Sequence, residues 1–597
     1  MTPEELIEFV LAEQRENEKQ QRIFKLLSDE AMSHLGRAVT GLMVVGTNKS
    51  TATFECKHNE SRIRPGSQVT LGNSDHGRLT GEVVTIEDAG RILQVALSRM
   101  PEVVFSGPWT MVELDRDFTP LIVQSIKKLQ PGQAGWSFFR WLAEDGASVP
   151  VRRITKAIER QSAVEQIVAE FPFDVDSSQR QALEECVNEP SILGVQGPPG
   201  TGKTNLLAMV AESLSRVGRR VLILAPTHQA VNNALSAIHT SFPNRSLIKV
   251  GNALRRESLP DDVECRLLKD AVRQDSSRMG SEQIIGMTFL SALQHLAVQS
   301  SGLAPNVTLV DEAGQLPFCQ GICAGLFGAG STLLFGDDQQ MPPVFNSELS
   351  SSPLATSLFA RLRQSHPGSI LMLNTSYRLN EPICNFVAEN FYGGIGNLVS
   401  STNSRNRRLT FASNAGLSFE STELNAISSD DSLLWVRSEE NGSQQLNLAE
   451  AQSVAKLISQ AMKFGVRTDQ MAIVTPYRRQ SAAIRRLVQY ETASSTDIPI
   501  VDTVERVQGL TVELVIISMC TTDPEYASET ASFIFSPNRL NVAVSRARTK
   551  VVIFASESIL DALPTNYDGL VAMKTFKKAL LQIATCDSPG LADIGEM

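Results

Sequence analysis

At 597 residues the chain has room for roughly four structural units of about 150 residues each. Hydrophobic content of 42% and charged content of 20% suit a globular protein with large cores, and no apolar run reaches the roughly 18–20 residues that span a bilayer. The formal net charge of −10 excludes a global basic field for polyanions, so any nucleic-acid path has to be a local groove.

The N-terminus, MTPEELIEFVLAEQRENEKQ, is acidic and amphipathic, unlike a secretory signal. A cytoplasmic protein is the simplest reading. Eight cysteines are scattered along the chain. The near pair Cys319 and Cys323 lacks the second pair or histidine that a tetrahedral zinc site needs, so free thiols in a reducing compartment are expected.

Residues 1–35 are predicted as one stalk helix, because Leu6, Ile7, Val10, Leu11, Ile23, Phe24, Leu27, Met32 and Leu35 recur near a 3.6 period. Over 36–117, AVTGLMVV, TATFEC, SQVTLG, GEVVTIE and RILQVALS are short β-rich runs between Asn, Gly, Asp and Ser, which predicts a small β-barrel. A hairpin turn is expected at Asp88-Ala89-Gly90. Helical patterns return over 118–170, in PLIVQSIKKL and SAVEQIVAEF.

Beyond these stalk helices the pattern alternates strand, loop and helix. SILGVQ, VLILAP, IIGMTF, VTLVDE and TLLFGD fall within 171–365, and SLLWV, MAIVTP, IVDTV, LVIISM and KVVIFA within 366–597. Apolar runs that end in polar or small residues are the pattern of buried parallel strands with chemistry at their carboxyl ends. The expectation is two α/β lobes preceded by a helical stalk carrying a β-barrel, with no internal repeat.

GPPGTGKT, comprising Gly197, Pro198, Pro199, Gly200, Thr201, Gly202, Lys203 and Thr204, joins the strand SILGVQ to the helix NLLAMVAESL. This is a phosphate-binding P-loop in its required context. Glycines let backbone N–H groups close round phosphate oxygens, and the helix N-terminus favours negative charge. Lys203 is expected to reach the β- and γ-phosphates of ATP, and Thr204 to offer its hydroxyl to Mg²⁺. In VTLVDEAG, Asp311 and Glu312 end a second buried strand, where one carboxylate would hold hydrated Mg²⁺ and the next orient the attacking water. Alone, Asp-Glu after an apolar strand is an ordinary helix start; a P-loop about a hundred residues upstream favours catalysis.

Further strings follow in order: LLFGDDQQMPP with Asp337 and Gln340, LNTSYRLNEP with Tyr377 and Arg378, MAIVTPYRRQ, VDTVERVQGL, and NRLNVAVSRART with Arg539, Arg546 and Arg548. Over about residues 170–557 these strings resemble the ordered motifs of superfamily 1 helicases. The similarity is to the branch containing the nonsense-mediated-decay RNA helicases and the replication helicase-nucleases. The fold implied is two tandem RecA-like P-loop lobes, and the activity an ATP-dependent helicase or translocase on single-stranded DNA or RNA, moving 5′ to 3′.

By the same resemblance, Gln179 reads the adenine edge, Tyr377 stacks near the base, and Gln340 links γ-phosphate to nucleic acid. Arg378 and Arg546 reach the γ-phosphate, and Gly509 belongs to the second-lobe nucleotide signature. Cationic help at a transferred phosphoryl group is worth roughly 10³–10⁵ in rate, which is an independent reason to expect such arginines. The alternative for Arg546 is an ordinary cationic helix face. Nucleic-acid contacts are implied at Pro226, Thr227, His228, Thr288, Pro476, Tyr477 and Thr503. Thr227 equally reads as a helix cap and Tyr477 as a core residue.

The pattern also departs from the resemblance. His228 stands where many relatives have Asn, and Gln508-Gly509-Leu510 is followed by Thr511 where Glu is usual, with Glu513 two residues on. Residues 240–282 leave space for only a small helical insertion. No metal-cluster cysteines or nuclease motif extends beyond 557, so a fused helicase-nuclease is not expected, and protein partners supplying nuclease or targeting functions are left open. The rival reading from another class is an ATP-gated nucleic-acid clamp or remodelling subunit without processive unwinding.

Overall fold

The computed structural model describes the chain except residues 49, 58, 60, 74–76, 88–90, 99–106, 115–116, 145, 148, 150–156, 252–255, 257, 267–283, 299–304, 411–425, 428, 439–441, 493–496 and 587–597. The Asp88–Gly90 turn and part of the 240–282 insertion lie outside the described residues. Two compact units emerge. The first comprises 1–196, 203–338 and 342–371, and the second 197–202, 339–341 and 372–597. The boundary between the units at 371/372 lies six residues beyond the lobe boundary expected at 365/366, and residues 197–202 and 339–341 group with the second unit. Among the described residues no helix is long and apolar enough to cross a membrane.

In the first unit the expected single stalk helix is two helices, Pro3–Lys25 and Asp29–His34. The break has a local cause: Ser28 takes extended φ/ψ and its hydroxyl accepts the Ala31 N–H, so it starts a new helix. The barrel is present and closed, in the order β1 (Ala38–Thr47), β2 (Thr51–Glu55), β5 (Ile92–Leu97), β4 (Gly77–Glu87), β3 (Gln68–Asn73), β6 (Trp109–Glu113). Alternate residues such as Phe54, Val69, Leu71, Leu93, Val95 and Met111 fill its interior. The closing strand β6 went unread in the sequence.

The rest of the first unit is built on an eight-stranded sheet. Its strands are β7 (Ile192–Gln196), β8 (Val221–Ala225), β9 (Leu247–Val250), β10 (Glu264–Arg266), β11 (Ile284–Thr288), β12 (Val307–Val310), β13 (Ser331–Gly336) and β14 (Ile370–Met372). Their order is β10-β9-β11-β8-β12-β13-β7-β14. β7 to β13 pair parallel, so the carboxyl ends of β7, β8, β11, β12 and β13 share one edge. The described part of the 240–282 insertion contributes β9 and β10, strands rather than the helices expected.

The second unit carries a six-stranded parallel sheet in the order β19-β18-β20-β21-β17-β22, beside the short pair β15 (Thr375–Ser376) and β16 (Val399–Ser400). The strands are β17 (Leu433–Arg437), β18 (Met471–Thr475), β19 (Ile500–Thr503), β20 (Val512–Ser518), β21 (Ala547–Ala555) and β22 (Ala584–Cys586). β18 is buried along its whole length. This is what a sheet covered on both faces requires, and it explains the unbroken apolar run in the sequence.

Candidate ATP site and nucleic-acid face

In the first unit, β12 delivers Asp311 and Glu312 at its carboxyl end. Lys203, the first residue of the helix Lys203–Arg216, places its Nζ 3.1 Å from Asp311 Oδ1 and 2.7 Å from Glu312 Oε1. Burial works against the lysine charge, but the two carboxylates outweigh it and hold the ammonium above its ordinary value. Glu312 sits at φ 53°, in the left-handed region that costs a non-glycine residue about 1–2 kcal/mol. Its N–H donates to Asp311 Oδ1 at 2.9 Å, and Gln315 Nε2 donates to its Oε2 at 2.7 Å, so the strained backbone aims a restrained carboxylate. Gly314 is required here: a Cβ on it would lie 2.6 Å from the Asp337 carbonyl oxygen.

A group that the sequence reading missed holds the strand ends in place. Gln196, the last residue of β7, donates to Asp337 Oδ1 (3.1 Å) and Asp338 Oδ1 (3.2 Å), while Arg363 donates to Asp338 Oδ2 (2.7 Å) and Gln196 Oε1 (2.7 Å). Arg363 lies more than 160 residues from Gln196, and no motif announces it. Gln179, expected to read adenine, closes a capping box: its Oε1 accepts the Asp176 N–H at 3.2 Å.

In the second unit the P-loop turn packs on the segment holding Tyr377 and Arg378. The Tyr377 N–H donates to Gly200 O at 2.8 Å, and Ser376 Oγ to Pro199 O at 2.9 Å. Gly200, at φ +76°, has no room for a side chain, since a Cβ would come within 2.4 Å of Arg378 Cβ. Thr201 uses its hydroxyl inside the turn, donating to Pro198 O at 2.8 Å.

Beside this turn lies a concentration of cations. Arg378 donates to Ser545 O at 3.1 Å; burial, then Arg546 and Arg548 nearby, act against its charge and lower its pKa. Arg546 donates to Val542 O (3.0 Å), Leu510 O (3.3 Å) and Gln340 Oε1 (3.5 Å). Arg548 pairs with Glu513 at 3.2 Å, so that carboxylate is engaged rather than free to replace the glutamate that Thr511 displaces. Arg407, also unread in the sequence, donates to the carbonyls of Tyr377 (3.1 Å) and Arg378 (3.2 Å) and fixes their backbone. Gly509 takes φ +85° in the turn after β19. Without a carboxylate on Arg378 among the described residues, the cluster is arranged to receive an anion.

The expected nucleic-acid residues fall at strand ends in both units. In the first, Pro226 and Thr227 follow β8 and Thr288 ends the adjacent β11. Thr227 caps the helix His228–Ser241 by accepting the Ala230 N–H at 3.2 Å, and Thr288 Oγ1 pairs with Ser291 Oγ at 2.8 Å. His228 packs near Gly251, whose added Cβ would lie 3.2 Å from its ring. In the second unit Pro476 and Tyr477 follow β18, and Thr503 ends the neighbouring β19, paired with Thr475. The Tyr477 ring lies 6.3 Å from that of Tyr526 and 5.7 Å from that of Phe533, and burial pushes its phenol up. The capping of Thr227 and the packing of Tyr477 were both weighed in the sequence, and both are present.

Two matches to an AAA domain cover residues 174–278 and 354–558. With the P-loop and the ordered motifs, these matches make the chain similar to the ATP-dependent core of superfamily 1 helicases. Within the class it is similar to the DNA replication ATP-dependent helicase/nuclease JHS1 of Arabidopsis thaliana, at 24% identity over 91% of this chain and 40% of that protein. It is also similar to the ATP-dependent helicase upf1 of Schizosaccharomyces pombe, at 26% identity over 65% of this chain and 45% of that one. The chain therefore spans less than half the length of either relative. A solved arterivirus nonstructural protein 10 helicase covers 88% of this chain and is itself covered over 79%, at 14% identity and a TM-score of 0.37.

Proposed function

We propose that the chain is an ATP-driven helicase or translocase that grips a single strand of DNA or RNA and advances 5′ to 3′. The observation that supports this best is Lys203 held within 3.1 Å of both Asp311 and Glu312 at the head of a P-loop helix. In this reading Lys203 binds the β- and γ-phosphates, while Thr204 and Asp311 hold Mg²⁺, whose chemistry is to neutralise phosphate charge. A hydroxyl and a carboxylate are the hard oxygen donors that ion prefers. Glu312 orients the attacking water. Arg378 and Arg546 stabilise charge on the γ-phosphoryl group, and Gln340, bonded to Arg546, reports its state. Gln179 and Tyr377 serve the adenine side once the capping bond of Gln179 is exchanged.

Pro226, Thr227, His228, Thr288, Pro476, Tyr477 and Thr503 contact the strand, through backbone amides and hydroxyls to phosphate and through the tyrosine ring to a base. The test is steady-state ATPase with single-stranded DNA, single-stranded RNA and neither, followed by displacement of duplexes carrying 5′ or 3′ overhangs. Stimulation by a strand and unwinding from a 5′ overhang support the reading. Stimulation without unwinding favours the clamp, and a rate indifferent to both strands contradicts both.

A further inference from the structure

Glu450 has no part in the roles above, yet it is buried inside the second unit with 3% of its surface exposed. It is the third residue of the helix Leu448–Lys463, where Asn447 caps the helix by accepting its N–H at 3.1 Å. A glutamate there ordinarily faces water and serves the helix dipole. This one turns inward. Its Oε1 accepts the Ser518 hydroxyl at 2.6 Å and the Cys520 N–H at 2.9 Å, and its Oε2 accepts the Ser438 hydroxyl at 2.5 Å.

Those three donors belong to separate parts of the unit. Ser438 follows β17, Ser518 ends β20, and Cys520 is held at φ 53° in the loop beyond. Ser518 Oγ also accepts from Gln480 Nε2 at 3.0 Å, and Gln480 exchanges bonds with the Asn447 backbone at 2.9 and 3.2 Å. Gln480 lies in the first turn of the helix Arg478–Thr492, three residues beyond Tyr477. The segments pinned in this way also enclose Tyr477. Tyr526 packs on its ring and accepts from Gln445 Nε2 at 2.8 Å, and Thr521 Oγ1 donates to Gln444 O at 2.7 Å.

Among the described residues no cation stands beside this buried carboxylate, which makes its charge costly, and three converging donors offset part of that cost. We propose that Glu450 is a positioning residue for nucleic-acid binding, its carboxylate locking the ends of β17 and β20 and the start of the Arg478–Thr492 helix so that the Pro476–Tyr477 turn is preorganised for a strand. This rests on the reading that Pro476 and Tyr477 touch the strand. Burial pushes the Glu450 carboxyl up to about 7, against the pull of its three donors. Among the described residues the titratable group facing it is the Cys520 thiol, which burial and then Glu450 push well up. Because the raised value disfavours the ionised form, this group's contribution to folding stability falls as pH rises from about 4.5 towards 7. The three-donor arrangement is that of the ionised form, so strand affinity tightens as pH rises through about 7.

The test compares strand affinity of the full chain, by anisotropy with a labelled 20-mer single strand, with ATPase measured without any strand. Glu450→Ala removes the acceptor of all three donors and is expected to raise Kd about tenfold, with strand-free kcat and KM for ATP unchanged. Glu450→Gln, which keeps an acceptor for the Cys520 N–H and can donate to Ser438, is expected to restore most of the affinity and to flatten its pH dependence between pH 6 and 8. An unchanged Kd in Glu450→Ala overturns the proposal, as does a parallel loss of strand-free ATPase. A pH dependence in Glu450→Gln equal to the parent's does so too. If Glu450→Ala fails to fold, Ser518→Ala carries the test: a weakened strand supports the role and an unchanged one refutes it. Tyr477→Ala separates the two levels. If it leaves Kd unchanged, the strand-face reading fails; if it weakens binding while Glu450→Ala does not, only the positioning role fails.

Discussion

Two clusters carry the proposed chemistry, and they handle charge in opposite ways. In the first unit Lys203 is compensated on the spot by Asp311 and Glu312. In the second, Arg378 sits with Arg546 and Arg548, its charge opposed by burial and by its neighbours, and it donates to a backbone carbonyl rather than a carboxylate. The first arrangement is electrostatically closed without a ligand. In the second Arg548 is paired with Glu513, but the cluster is open at Arg378, which has no carboxylate among the described residues and on the proposed reading gains from an anion. A residue in a closed cluster is held for exchange, since on the proposed reading the lysine leaves the carboxylates to take phosphate. A residue in an open one is poised for charge that develops later. The comparison therefore predicts that the lysine governs binding and turnover together, and the arginines chiefly turnover.

Lys203→Ala breaks the closed cluster outright. Hydrolysis is expected to fall below detection and ATP affinity to drop; turnover near the parent rate would remove the P-loop assignment. Arg546→Ala tests the open cluster. A loss of roughly 10³ or more in kcat is expected from removing an arginine at the transferred phosphoryl, with strand affinity little changed. A rise in KM alone, with kcat intact, would mean that the arginine serves ground-state binding. Glu312→Gln sharpens the division within the closed cluster, since it leaves the lysine one carboxylate. A fall of about 10²–10⁴ in rate with ATP still bound is expected if the carboxylate orients water. Tyr477→Ala lies outside both clusters and should act on the strand alone, weakening it by about 1–3 kcal/mol, the value of one base stacked on an aromatic ring. Equilibrium binding with and without a non-hydrolysed ATP analogue measures it.

The closed cluster was legible in the sequence and the open one only by resemblance. GPPGTGKT follows β7 and VTLVDEAG begins on β12, both strands buried along their length, where a local string and its context suffice. Arg378 and Arg546 are 168 residues apart in the chain and no periodicity links them; only motif order brought them together. Short strands at sheet margins escaped notice for a physical reason. β9 has Lys249 fully buried in its middle, which breaks the apolar run, and β10 and β22 are three residues each. Ser28 starts the second stalk helix through a capping bond that hydrophobic periodicity does not register. Glu450 illustrates the same limit from the other side. Glu450 lies in the first turn of a helix capped by Asn447, where a glutamate ordinarily faces water, and only the tertiary fold turns the carboxylate towards Ser438, Ser518 and Cys520.

The central claim is that ATP turnover at these clusters is coupled to a bound polymer. The most direct measurement is the steady-state ATPase rate of the full chain titrated with single-stranded oligonucleotide, beside Lys203→Ala as the blank. The account predicts a saturable rise in kcat whose half-point matches the strand Kd, and no activity in the blank. A parent rate that stays flat across the titration, while anisotropy shows the strand bound, would contradict it.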